Sequence, residues 1–146
     1  MMQRLSLFVA IAFLAILGSV RLAPAGGDKK QKTEVEGSWK LVKGGKDAPK
    51  QITFKDNKFV LKLAEDSVFE GTFKLNTDEN PSWMDMTFSS GPEEYKGKVA
   101  LCIYNFDGEA FNWCAAIPGK KRRPQQFVEV MGDVRLLLGT YERDKK

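Results

Sequence analysis

The stretch Val99–Ile117, VALCIYNFDGEAFNWCAAI, limits the possible fold more than any other. Two apolar runs meet at Asp107-Gly108, a dipeptide that accepts the positive φ angles of a tight hairpin turn. With Asp107 and Gly108 as a two-residue turn, Cys102 pairs with Trp113. Cys102, Tyr104 and Phe106 then share one face with Phe111, Trp113 and Ala115, while Leu101, Ile103, Asn112 and Cys114 share the other. Both faces are largely apolar, and almost no charge lies outside the turn. This hairpin has to be covered on both sides, as the central strand pair of an all-β domain.

From Gly37 onward, short apolar stretches alternate with turn residues, and no window carries a helical period. Nine candidate strands result. Gly37 to Lys43 puts Trp39 and Leu41 on one face. Lys50 to Lys55 and Lys58 to Leu63 form a hairpin across Asp56-Asn57. Phe69 to Leu75 turns Phe69, Phe73 and Leu75 inward, with Gly71 marking a bulge or a barrel corner. Ser82 to Ser89 separates Met84, Met86 and Phe88 from Trp83, Asp85 and Thr87. Beyond the central hairpin, Gln126 to Met131 and Val134 to Glu142 flank a Gly132-Asp133 turn. Short connections favour neighbouring antiparallel strands, and closure removes exposed edges. The expected fold is a small antiparallel up-and-down β-barrel of eight to nine strands over residues 36–146.

The segment before it has the pattern of a signal peptide: a basic start at Arg4, an apolar core from Leu5 to Val20, and the small-residue ending Ala23-Pro24-Ala25. Ser6, Gly18, Ser19 and Arg21 interrupt a run that would need about 20 apolar residues to span a bilayer. The expected division is a signal peptide over 1–25, a flexible leader over 26–35 and then the barrel. Such a chain is exported to the periplasm or the extracellular space. Membrane contact is limited to 1–25, should that segment stay uncleaved as an anchor.

Composition excludes several chemistries. The sequence has no histidine, so Ser-His and Cys-His catalysis are absent. Zinc would be left with two cysteines, no CxxC pair and carboxylates, so neither a metal nor a cofactor is expected. The net charge of +4 falls to +2 once Arg4 and Arg21 are removed with 1–25, a balance that does not point to nucleic acid. No enzymatic activity is expected.

Gly37-Ser38-Trp39 near the start of the first strand, together with Arg143 at the end of the last, resembles lipocalin-like proteins. The resemblance implies that Trp39 closes one barrel end and Arg143 packs over it. A longer series is similar to a family of uncharacterised secreted lipocalin-like proteins described from planctomycetes. Its matching segments are Glu36-Gly37-Ser38-Trp39-Lys40, Gly71-Thr72-Phe73-Lys74-Leu75, Pro81 with Met84-Asp85-Met86-Thr87, Ile103-Tyr104 through Gly108 to Cys114-Ala115, and Arg123-Pro124-Gln125-Gln126-Phe127. The resemblance implies a fold and an export route; the family carries no established activity. Cys102 stands where that family has a glycine.

Beside Trp39 and Arg143, four groups of residues are candidates for a functional or structural role. Trp39, Phe73, Met86, Tyr104 and Trp113 could line a small apolar ligand, or simply fill the barrel with its other apolar side chains. Cys102 and Cys114 could form a disulfide if the hairpin loop has three residues, whereas a two-residue turn points them to opposite faces. Asp85, a carboxylate among strand methionines, needs a partner, for which Arg123 is the candidate; an acid pair with Glu70 or Glu129 is the hydrolytic alternative. Lys120-Lys121-Arg122-Arg123 could meet an anionic partner or be a solvated loop. The function these support is a barrel binding a small apolar ligand or a cell-envelope component at one end. The alternative is an interaction or inhibitor module acting through the loops Ser89 to Gly97 and Pro118 to Pro124.

Overall fold

The computed structural model describes residues 34–145. The expected signal peptide, 1–25, and the leader up to residue 33 lie outside the described residues. Nine strands follow in order: β1 (Gly37–Gly44), β2 (Gln51–Lys55), β3 (Lys58–Lys62), β4 (Val68–Asn76), β5 (Ser82–Phe88), β6 (Val99–Asp107), β7 (Ala110–Ala116), β8 (Val130–Met131) and β9 (Val134–Arg143). Every neighbouring pair is antiparallel, and β9 pairs with β7 on one side and β1 on the other. Eight strands therefore close into an up-and-down barrel, and β8 is a short extra strand on β9. The all-β barrel read from the sequence is the architecture found. Among the described residues no helix is long and apolar enough to cross a membrane.

The turns follow from local chemistry. Asp56 and Asn57 have φ of 52° and 69°, the paired left-handed conformation of a type I′ hairpin, which short polar side chains tolerate. In the central hairpin Asp107 pairs with Ala110, so the turn is Gly108-Glu109, one residue further along than the sequence suggests. Only Gly108 is left-handed (φ 60°), which fits a turn with glycine first and leaves Asp107 in the strand. Cys102 consequently pairs with Ala115 rather than Trp113. A shift of two residues in pairing preserves the faces, and the expected division of the hairpin holds.

Two other expectations change. β4 pairs without a shift on both sides of Gly71, so no bulge lies there. A Cβ at Gly71 would nevertheless collide with the Thr87 carbonyl oxygen, the close strand approach that a barrel corner needs. The register shift lies between Leu41 and Lys43, where β1 meets β9. The strand expected over Gln126 to Met131 shrinks to Val130–Met131. Phe127 and Val128 bury themselves on the outer barrel wall instead of extending the sheet edge.

The interior is filled by side chains. Trp39, Ile52, Phe54, Phe59, Met84, Met86, Tyr104, Phe111, Trp113 and Tyr141 are all essentially inaccessible. Their rings interlock: Phe54 meets Phe73 edge-on at 5.0 Å between centroids, and Trp39 meets Phe111 at 5.1 Å. Each such burial stabilises by about 1.5–3 kcal/mol. The Tyr141 hydroxyl, deep in this core, donates to the Pro49 carbonyl at 2.9 Å. A second cluster lies outside the wall: Ile103, Cys114, Ala116 and Leu136 are sealed by Trp83, Phe127, Val128 and Met131. The central hairpin is thus covered on both sides, by the barrel contents on one and by the strap 117–129 on the other.

Candidate functional site

The Trp39 end of the barrel is built around a glycine. Gly37 has φ 123°, a conformation open to glycine and costly for other residues, and a Cβ there would come within 2.8 Å of a guanidinium nitrogen of Arg143. The vacant space lets Arg143, opposite Trp39 in the β1–β9 register, lay its guanidinium 4.4 Å from the Trp39 ring centroid. Arg143 Nη1 and Nη2 donate to the carbonyls of Glu36 and Glu34 at 2.8 and 2.6 Å. Trp39 Nε1 donates to the Val35 carbonyl at 2.7 Å.

Glu34 and Val35 are helical, and Val35 is fully buried. They belong to the barrel closure, not to the flexible leader expected over 26–35, because the indole and the guanidinium take their carbonyls as acceptors. The closure expected of Trp39 and Arg143 is the arrangement present.

Beside this closure lies a depression of about 760 Å³, within the size range of small-molecule sites. Trp39, Val42, Phe106 and Ala110 supply its apolar lining. Glu34, Lys40, Glu109, Glu142, Arg143 and Lys145 supply charges of both signs. Val42 is 58% exposed on the outward side of β1, and Lys40 pairs with Glu142 at 3.3 Å across β1 and β9. Phe106 is half-buried and rests on Trp39 and Phe111.

Of the five proposed ligand-lining residues, only Trp39 reaches this depression. Phe73, Met86, Tyr104 and Trp113 are packed in the core, at most 4% exposed, where a ligand could touch them only by displacing other side chains. They are core, because a barrel this small is filled by its own aromatic rings. Val42, Phe106 and Ala110 were missed as site residues. Val42 did carry a signal, as an apolar residue on the same strand face as Lys40.

Asp85 and Arg123 form the expected pair, with Nη2 to Oδ1 at 2.5 Å. Arg123 also donates from Nη1 to the Cys102 carbonyl at 2.8 Å, and its Cζ lies 4.4 Å from the Trp83 ring centroid. Asp85 is thereby committed to a structural tie. Glu70 sits four residues from Lys74, the register partner of Asp85, or roughly 13 Å along β4. Glu129 lies against Gly45, beyond β9. The hydrolytic pairing of Asp85 with either acid has no shared cleft.

Cys102 and Cys114 are free thiols on opposite faces of the hairpin, Cys102 among the barrel contents and Cys114 under the strap. The disulfide alternative fails because the turn has two residues. Burial pushes the Cys102 thiol well above its ordinary value, against the pull of the Arg123 charge. Trp113 Nε1 is buried and out of hydrogen-bonding geometry, but near enough to ease Cys102 ionisation slightly. Burial likewise raises Cys114, whose thiol donates to the Val128 carbonyl at 3.4 Å. Among the described residues no cluster of three or more cysteine or carboxylate side chains could hold a metal ion. Lys120, Lys121 and Arg122 are exposed, while Arg123 is half-buried.

Comparison of the chain with protein-family models, with curated proteins and with solved structures found no match in any of the three.

Proposed function

We propose that this chain is an exported, non-enzymatic, lipocalin-like barrel that binds a small apolar ligand with an ionic head at its Trp39–Arg143 end. The observation that carries this reading is the depression of about 760 Å³ in which exposed Val42 and half-buried Phe106 share one concavity. An apolar tail would lie on these two side chains and Ala110. A charged head would meet a rim holding both Arg143 and Glu109. The filled interior supports a ligand seated at the end of the barrel in place of one enclosed by it. Export rests on the signal pattern of 1–25. The non-enzymatic reading rests on the absence of histidine and on the engagement of Asp85 by Arg123.

Titration with dodecanoate and with dodecyltrimethylammonium, followed by amide chemical shifts, tests the site. At least one is expected to move Val42, Phe106 and Ala110 together. Val42→Asp, an exposed change that leaves the core intact, is expected to weaken that binding at least tenfold. Failure of both amphiphiles to bind, or binding indifferent to Val42→Asp, sinks the assignment.

A further inference from the structure

A second surface, on the opposite side of the hairpin from the barrel contents, has a different charge character. Two depressions of about 490 and 370 Å³ lie along the outer wall of β6 and meet at Lys121. Val99 and Leu101 line the first, and Trp83 and Ile103 line the second. Neither includes an acidic side chain, in contrast to the mixed charges at the Trp39 end.

Four exposed cations border this strip: Lys98, Lys120, Lys121 and Arg122. Among the described residues none of them has an ion-pair partner. Their alignment is built into the fold. Gly119 donates its N–H to the Val99 carbonyl at 3.0 Å, and the Lys98 stem occupies the space where a Cβ of residue 119 would stand. Lys98 and Lys120 are thereby brought side by side. Arg123, anchored on Asp85 and Trp83, holds the far end of the run.

We propose that this strip binds an extended acidic polysaccharide. The outward positions Val99, Leu101 and Ile103 run roughly 13 Å along β6, so the cations beside them are strung out rather than converged on one point, which suits a chain of charges better than a single phosphate. Each solvated cation contributes little alone, and several contacts in a row are needed for useful affinity. The half-buried side chains of Val99 and Leu101 offer an apolar surface to the C–H faces of sugar rings. A net charge of +2 for residues 26–146 is well short of the strongly basic balance of nucleic-acid-binding domains. The apolar side chains of the strip are half-buried or, for Ile103, buried, whereas a membrane-docking surface needs protruding ones.

The test is calorimetric titration of the protein with polygalacturonate oligomers at low and at physiological salt. Saturable binding is expected, weakening as salt rises and falling at least tenfold in K120A/K121A/R122A. A control variant on the far wall, K55A/K58A/K62A, is expected to bind as the parent does. These exposed residues carry no core contacts, so both variants should keep the parent's melting temperature. Absence of binding overturns the proposal, as does equal weakening by the two variants. Binding to a single-stranded DNA oligomer or to anionic phospholipid vesicles as tight as to polygalacturonate also overturns it, by assigning the strip to another class of partner. Amphiphile binding at the Trp39 end is a separate measurement, and neither result predetermines the other.

Discussion

At Gly37 a single missing methyl group decides how one end of the barrel is sealed. The backbone there is left-handed (φ 123°), and the space a Cβ would take is filled by the Arg143 guanidinium. Gly37→Ala is expected to destabilise by about 1–3 kcal/mol from backbone strain alone, with a further loss as Arg143 is pushed off Trp39. Arg143→Lys tests the same contact from the other side. Lysine keeps the charge but cannot send two planar N–H groups to the carbonyls of Glu34 and Glu36 while covering the indole. Both variants are therefore expected to lower the midpoint of urea unfolding, with Trp39 fluorescence shifting as its cover is lost. An Arg143→Lys variant with the parent's midpoint would mean that charge, not shape, matters at this position.

The strap 117–129 is the element whose role the fold reveals most clearly. It is tied at Gly119 to Val99, at Arg123 to Asp85, Trp83 and the Cys102 carbonyl, and at Val128 to the Cys114 thiol. The Arg123–Asp85 pair is half exposed on the carboxylate side, so its Coulombic part is small, and the stacking on Trp83 together with the buried carbonyl contact matter more. Arg123→Ala is expected to let the strap open locally, raising the reactivity of Cys114 toward a thiol reagent about tenfold. That factor corresponds to about 1.4 kcal/mol, within the range of one cation–π contact. Cys102, inside the barrel, is expected to stay protected until global unfolding, and Asp85→Asn is expected to have the smaller effect. Equal labelling of the two cysteines in Arg123→Ala would show that the strap does not open on its own. The pairing of Asp85 with Arg123 was legible in the sequence because a carboxylate between strand methionines needs a partner. The strap was not, since Phe127 and Val128 fit a strand as well as a surface staple, and only the outer apolar patch around Ile103 and Leu136 decides between them. The central turn was displaced by one residue because Asp-Gly serves two hairpin geometries, which differ in whether one or two residues turn left-handed.

The barrel as a whole was readable because strand period, turn residues and apolar faces all agreed from Gly37 to Arg143. The depression beside Trp39 was not, since Glu34, Val42, Phe106, Ala110 and Thr140 come together only when β1 closes on β9 and the β6–β7 turn folds over them. Closure also fixes how the molecule responds to pH. With no histidine, no side chain has an ordinary pKa between pH 5 and 8, so stability is expected to be level there. Burial raises Cys102, Cys114 and Tyr141 above their ordinary values of 9.0, 9.0 and 10.0, so the folded chain holds these protons longer than the unfolded chain does. Their contribution is fully present below about pH 9 and is lost as pH rises, because the unfolded chain then binds fewer protons than the folded one. Cys102 and Tyr141 can each remove up to about 1.4 kcal/mol per pH unit once their unfolded forms ionise. Urea midpoints measured from pH 6 to 11 are expected to stay flat to about pH 9, fall beyond it, and steepen past pH 10 as the tyrosine joins. Tyr141→Phe is expected to start from a lower midpoint, since it orphans the Pro49 carbonyl at a cost of about 1–3 kcal/mol, yet to fall less steeply above pH 10. A parent whose stability is unchanged at pH 11 would show that these groups ionise as readily inside the barrel as in water, and that the filled interior opens to solvent at alkaline pH.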